Sequence, residues 1–135
     1  MSAHQQFREI YLCPNQNNIV AGVMIGGVAI APALKPIDPC TGEIVAGSFA
    51  DQVRATLENL DRFLEAAGLD RGSVARATFF MQSLTERVSM NPVWEEWYPN
   101  PQDRPPYKYV PANLPEGTHV VLQVIAIADA QRRGL

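Results

Sequence analysis

The chain has 135 residues, 47% hydrophobic and 19% charged, with a formal net charge of −3 and a pI near 5.3. That length and balance describe one folded domain over residues 1–135 and exclude a disordered chain. Nucleic-acid binding needs clustered cations to neutralise phosphates, and the densest cluster is only Arg132-Arg133, so no nucleic-acid partner is expected.

The longest run without a polar side chain, residues 19–34, is too short to cross a bilayer, contains Gly22, Gly26 and Gly27, and meets Pro32. The N-terminus lacks a signal-peptide layout, and the expectation is a cytoplasmic protein with no membrane partner. Cys13 and Cys40 match no zinc spacing, and His4 and His119 stand apart in sequence. Both cysteines read as small hydrophobic side chains in a reduced compartment, with no metal or cofactor implied.

Residues 7–13 alternate as a first strand, followed by an uncharged turn at residues 14–18. Residues 20–31 read as two short strands joined at Gly26-Gly27. Residues 36–45 form a rigid loop set by Pro36, Pro39 and Thr41-Gly42. A helix follows over residues 48–67, capped by Ser48 with Asp51 in its first turn. Its apolar stripe is Phe49, Val53, Leu57, Leu60 and Leu64, and Gly68 ends it.

Residues 74–82 alternate as a strand, with Val74, Arg76, Thr78 and Phe80 on one side and Ala75, Ala77, Phe79 and Met81 towards the helix. Residues 85–98 are helical in outline, with a fresh segment expected to start at Asn91-Pro92. After a proline-rich loop come strands at residues 107–112 and 120–128. The last is apolar on both faces, so one face needs cover beyond the helices, and a second copy of the chain would supply it.

Asp38-Pro39-x-Thr41-Gly42-Glu43, the run from Gln52 to Gly68, Phe79-Phe80, Asn91, Arg104-Pro105, Leu114-Pro115 and Ala126-Ile127-Ala128 occur in an order that resembles the Rid/YjgF family across nearly the whole chain. The resemblance implies an α+β, chorismate-mutase-like fold: a mixed sheet with two helices on one face. It also implies a homotrimer with a barrel-like centre and small-molecule pockets between subunits.

In the deaminase branch, the resemblance implies hydrolysis of imines and enamines to a keto acid and ammonia. There a strand arginine holds the substrate carboxylate by a two-pronged hydrogen bond. In this chain that position falls on Tyr107 when read from Arg104-Pro105, or on Pro106 when counted back from Leu114. The glutamate position on the last strand falls on Ile125, and an early Ser-Gly pair becomes Pro32-Ala33.

The candidate catalytic residues are Tyr107, as donor or stacking surface, and Gln123, as a group that orients water. Tyr107 reads equally as an interface residue and Gln123 as a bridge between strands. Arg104 and Lys108 flank the altered position and are candidates for a carboxylate clamp from a shifted register, against plain surface charges. Asn91 is a pocket candidate or a helix cap, and Ala33, Tyr109 and Ile125 complete the expected substrate-binding set. Two functions follow: an imine or enamine deaminase-type enzyme with an altered site, or a trimer that binds a metabolite or partner without chemistry.

Overall fold

The structure is a computed structural model that describes residues 7–14, 16 and 19–128. The strands are β1 (Phe7–Tyr11), β2 (Val20–Ile25), β3 (Val28–Leu34), β4 (Val74–Met81), β5 (Tyr107–Pro111) and β6 (Val120–Ile127), and the α-helices are α1 (Phe49–Ala66) and α2 (Arg87–Trp97). His4, Asn15, Asn17, Asn18 and the Arg132-Arg133 pair lie outside the described residues.

The six strands form one sheet in the order β1-β2-β3-β6-β4-β5. Only β4 and β5 pair in parallel; the other neighbours are antiparallel. Parallel strands require a crossover, and crossovers in a sheet are right-handed. From β3 to β4 the chain passes through α1, and from β4 to β5 through α2, moving the same way across the sheet each time. Two crossovers of one hand in one direction place both helices on the same face. Among the described residues no helix covers the opposite face.

The helix start read from sequence is present in full. Ser48 accepts from the Asp51 backbone N–H at 3.1 Å, and the Asp51 carboxylate accepts from the Ser48 N–H at 3.0 Å. These bonds hold the Asp51 carboxyl below its ordinary range. At the far end Gly68 takes φ +76°, the left-handed conformation that stops the helix. Val53, Leu57, Leu60, Phe63 and Leu64 are buried against the sheet.

Three polar residues of α1 are buried as well, and two of them organise loops. The Gln52 amide donates to the carbonyls of Val45 and Gly117 and accepts from the His119 N–H. The Asn59 amide donates to the carbonyls of Lys35 and Ile37. A buried amide with all these partners is satisfied, and its removal would orphan loop carbonyls. The loop after β3 is thereby fixed to the helix, with Ile37 and Ile44 bridged and Asp38 accepting from the N–H groups of Cys40 and Thr41. Those two bonds, Thr41 first, hold the Asp38 carboxyl below its ordinary range.

Three expectations from sequence are corrected. Cys13 and Cys40 are not separate hydrophobic side chains but a disulfide, joining the loop after β1 to the loop after β3. Pro92 does not open a fresh helix: α2 runs through it from Arg87, following a 3-10 turn at Leu84–Glu86. Pro92 withholds the N–H that would bond the Val88 carbonyl, but both residues are exposed, so the loss falls on the solvent side of the helix. Asn91 is accordingly inside the helix rather than its cap.

The third correction concerns β4. Val74 pairs with Ala126, but Arg76 pairs with Ile125, leaving Ala75 as an extra residue in a bulge. Val74 therefore points inwards and drops out of the row it was assigned to. Arg76 and Thr78 stand opposite Ile125 and Gln123, while Ala77, Phe79 and Met81 are buried, as expected.

Candidate functional site

The open face carries the chemistry-bearing rows. On β6, Val120, Leu122, Val124 and Ala126 are buried beneath the helices, so Val121, Gln123, Ile125 and Ile127 face the other way. Register carries this face across the sheet. Ile127 lies beside Val28, Val28 beside Ile25, and Ile25 beside Phe7. Phe7, Ile25 and Val28 are 52%, 49% and 37% exposed, so a broad apolar surface meets solvent.

A polar row crosses this surface. Gln123 pairs with Thr78, and Thr78 pairs with Lys108. On the other side of Gln123, the β3 register slips between Ala31 and Leu34, so that exposed Pro32 and Ala33 bulge next to it. Ile125 stands one row along, between Ile30 and Arg76. Ala33, Lys108, Gln123 and Ile125 are thus gathered within a few residues of one another.

The other four candidates are elsewhere. Tyr107 and Tyr109 pair with Ala77 and Phe79, whose side chains are buried on the helix side. There Tyr107 packs edge-on to Trp94 at 5.7 Å and to Tyr109 at 5.4 Å between ring centroids. The Tyr109 hydroxyl donates to Asn91 Oδ1 at 2.8 Å. Burial, with Tyr107 adding to it, pushes the Tyr109 phenol up to about 12. Arg104 donates from Nε to the Tyr98 carbonyl at 2.7 Å and from Nη2 to the Pro99 carbonyl at 3.4 Å, fastening the loop before β5.

The eight candidates therefore form two groups on opposite faces rather than one pocket within a chain. The physical reason is strand parity: Tyr107 and Lys108 are adjacent, so they cannot share a face. Three clefts, of about 360, 240 and 220 Å³, lie around Arg71 and Trp97, around Leu12 and Arg62, and between Ile37 and Glu116, and none is lined by a candidate residue. Sequence reading also passed over Arg76, whose outward place was visible in the alternation of β4 but whose neighbours were not.

This fold and face can be compared with known proteins. A family model described as Endoribonuclease L-PSP matches residues 15–128. The chain belongs to that family, the Rid/YjgF family. Among Rid/YjgF relatives, the 2-iminobutanoate/2-iminopropanoate deaminase of Salmonella typhimurium is 31% identical over 110 residues, 80% of this chain and 85% of that one. A RutC family protein of Pyrococcus horikoshii is 43% identical over 63 residues, 47% of this chain. The match spans about half the length of that protein, 50%. The crystal structure of Escherichia coli TdcF with bound serine superposes with a TM-score of 0.77 at 28% identity, covering 90% of this chain and 99% of that one. The α+β architecture expected from the Rid/YjgF resemblance is the one found, with both helices on one face.

Proposed function

We propose that this chain is a Rid-type enzyme that hydrolyses or tautomerises a small imine, enamine or related unsaturated acid, working as a cytoplasmic homotrimer. One observation carries the reading: the polar row of Lys108, Thr78 and Gln123 lies on an apolar sheet face that no described helix covers. A second copy seated on that face would bury the apolar surface and turn the row into the wall of a pocket between subunits. The names of relatives such as the Salmonella imine deaminase support the reaction type.

In hydrolysis, a water oxygen bonds to the imine carbon while the C=N π pair moves to nitrogen, which takes a proton. The carbinolamine then expels ammonia and becomes a carbonyl. Gln123 is suited to orienting that water, since an amide both donates and accepts. Lys108 supplies positive charge beside it, and Ala33 and Ile125 give apolar walls. Tyr107, with Tyr109 and Asn91 behind it, belongs to this reading as the rim at the β5 edge, where the residue is 45% exposed. Arg104 serves by holding the loop that leads into that edge. In this reading residues 1–135 are one domain whose site is altered relative to the deaminase branch, and a net charge of −3 gives little support to RNA as a substrate. In the cytoplasm the Cys13–Cys40 bond would be open to reduction.

A specific observation favours the second reading, a binding trimer without chemistry. The two positions that are ionic in the deaminase branch hold Tyr107 or Pro106 and Ile125. Ammonia release from 2-iminopropionate generated in situ separates the two. Release above the uncatalysed rate supports the enzyme. Ligand binding with no release supports the binder. Sedimentation equilibrium at three times 14.9 kDa is the expected assembly.

A further inference from the structure

We infer that Arg76 is the carboxylate-binding residue of this site, replacing from β4 the cation that the deaminase branch carries before the Leu-Pro turn. The inference rests on the Rid-type reading above and names a residue for it.

The register is the first support. Arg76 is the cross-strand neighbour of Ile125, and two residues on, Thr78 lies between Gln123 and Lys108. With strand rise and spacing in a sheet, the Cα atoms of Arg76 and Lys108 are about 8 Å apart. Both side chains are long enough to converge on one small ligand beside Gln123.

The second support is what surrounds Arg76. Its neighbour Ile125 occupies the glutamate position, and the next residue across is Ile30, so neither can be an ionic partner. Arg8, Arg54, Arg62, Arg71 and Arg104 are each engaged by a carbonyl, amide or carboxylate, and Arg87, without such a partner, stands at the start of α2 away from this face. Arg76, Lys108 and Gln123 have no side-chain hydrogen bond or ion pair among the described residues. With Ile125 and Ile30 in its row, Arg76 is a guanidinium without an ionic partner on an apolar face.

The energetics follow. Covering that face would strip water from the guanidinium, which is costly unless an anion meets it. A carboxylate fits best, because the planar fork of arginine donates two parallel hydrogen bonds to its two oxygens. The ligand class is a small 2-imino or 2-oxo acid, its carboxylate on Arg76 and its unsaturated carbon towards Gln123.

Calorimetric titration of the full chain with pyruvate, and with the neutral pyruvamide, tests this. Pyruvate is expected to bind and pyruvamide to bind at least tenfold more weakly. Arg76→Gln is expected to remove that preference, and Arg76→Lys to restore part of it, with the assembly unchanged in sedimentation. Equal pyruvate affinity in Arg76→Gln, or no pyruvate binding to the natural chain, would overturn the proposal. So would Arg76→Gln dissociating the assembly while Arg76→Lys keeps both assembly and pyruvate affinity unchanged, because the residue would then be a subunit contact. Pyruvate binding lost in Arg76→Gln, with no ammonia release from 2-iminopropionate by the natural chain, leaves this proposal standing and removes only the deaminase reading. Ammonia release with unaltered binding in Arg76→Gln does the reverse.

Discussion

The Tyr109 hydroxyl meets Asn91 Oδ1 at 2.8 Å, and that bond ties the edge strand β5 to the middle of α2. Asn91→Ala is expected to lower stability by about 1 kcal/mol, the net worth of one such hydrogen bond, and to loosen the β5 edge. A urea midpoint, with amide exchange followed along β5, checks it. An unchanged midpoint and unchanged exchange would mean the bond contributes nothing.

Tyr109 also predicts a response to alkali. Its phenol is raised to about 12, against an ordinary value of 10.0. The folded state therefore holds this proton more tightly than the unfolded chain. The stability it contributes is fully present below pH 10 and is lost as pH rises from there towards 12. The difference in tyrosinate absorbance between the natural chain and Tyr109→Phe should show this phenol titrating at about 12, with stability falling over the same window. Titration of the Tyr109 phenol at its ordinary value of 10.0 would contradict the burial argument.

The Cys13–Cys40 bond closes a loop with a sequence separation of 27. Reduction is expected to cost about 2–4 kcal/mol, through the greater freedom of the unfolded chain. Urea unfolding with and without dithiothreitol measures it, and Cys40→Ser should match the reduced protein. Identical midpoints in all three would show that the bond adds no stability.

Gly22 is a site of close approach. A Cβ there would overlap the Ile30 carbonyl oxygen and come within 2.8 Å of the Phe63 ring. Backbone on one side and a buried ring on the other leave nothing free to yield. Gly22→Ala should cost about 3 kcal/mol or prevent folding. A melting temperature equal to the natural protein's would show that the β2–β3 pair can spread.

The elements were legible because their signals are local. Ser48 and Asp51 mark a helix start within four residues, and Gly26-Gly27 marks the β2–β3 turn. The even residues of β6 could be sorted from the odd ones by alternation alone. The site was less legible because it depends on register, which is set by distant partners. Nothing local shows that Tyr107 faces Trp94 while Lys108 faces Gln123's side. Cysteines so far apart in sequence gave no hint of pairing. Pro92 misled because its cost depends on exposure, which the sequence does not display. Arg76 was seen as an outward residue, but its isolation became visible only with Ile125 and Ile30 beside it.

The extra residue at Ala75 makes β4 a strand with slack in it. Removing it would leave Val74 opposite Ala126 and bring Arg76 opposite Ile125 without a bulge, so every later side chain would keep its face. Deleting Ala75 is therefore expected to leave the register and faces of β4 intact. Alternation counted through the bulge puts Val74 on the wrong side of the sheet.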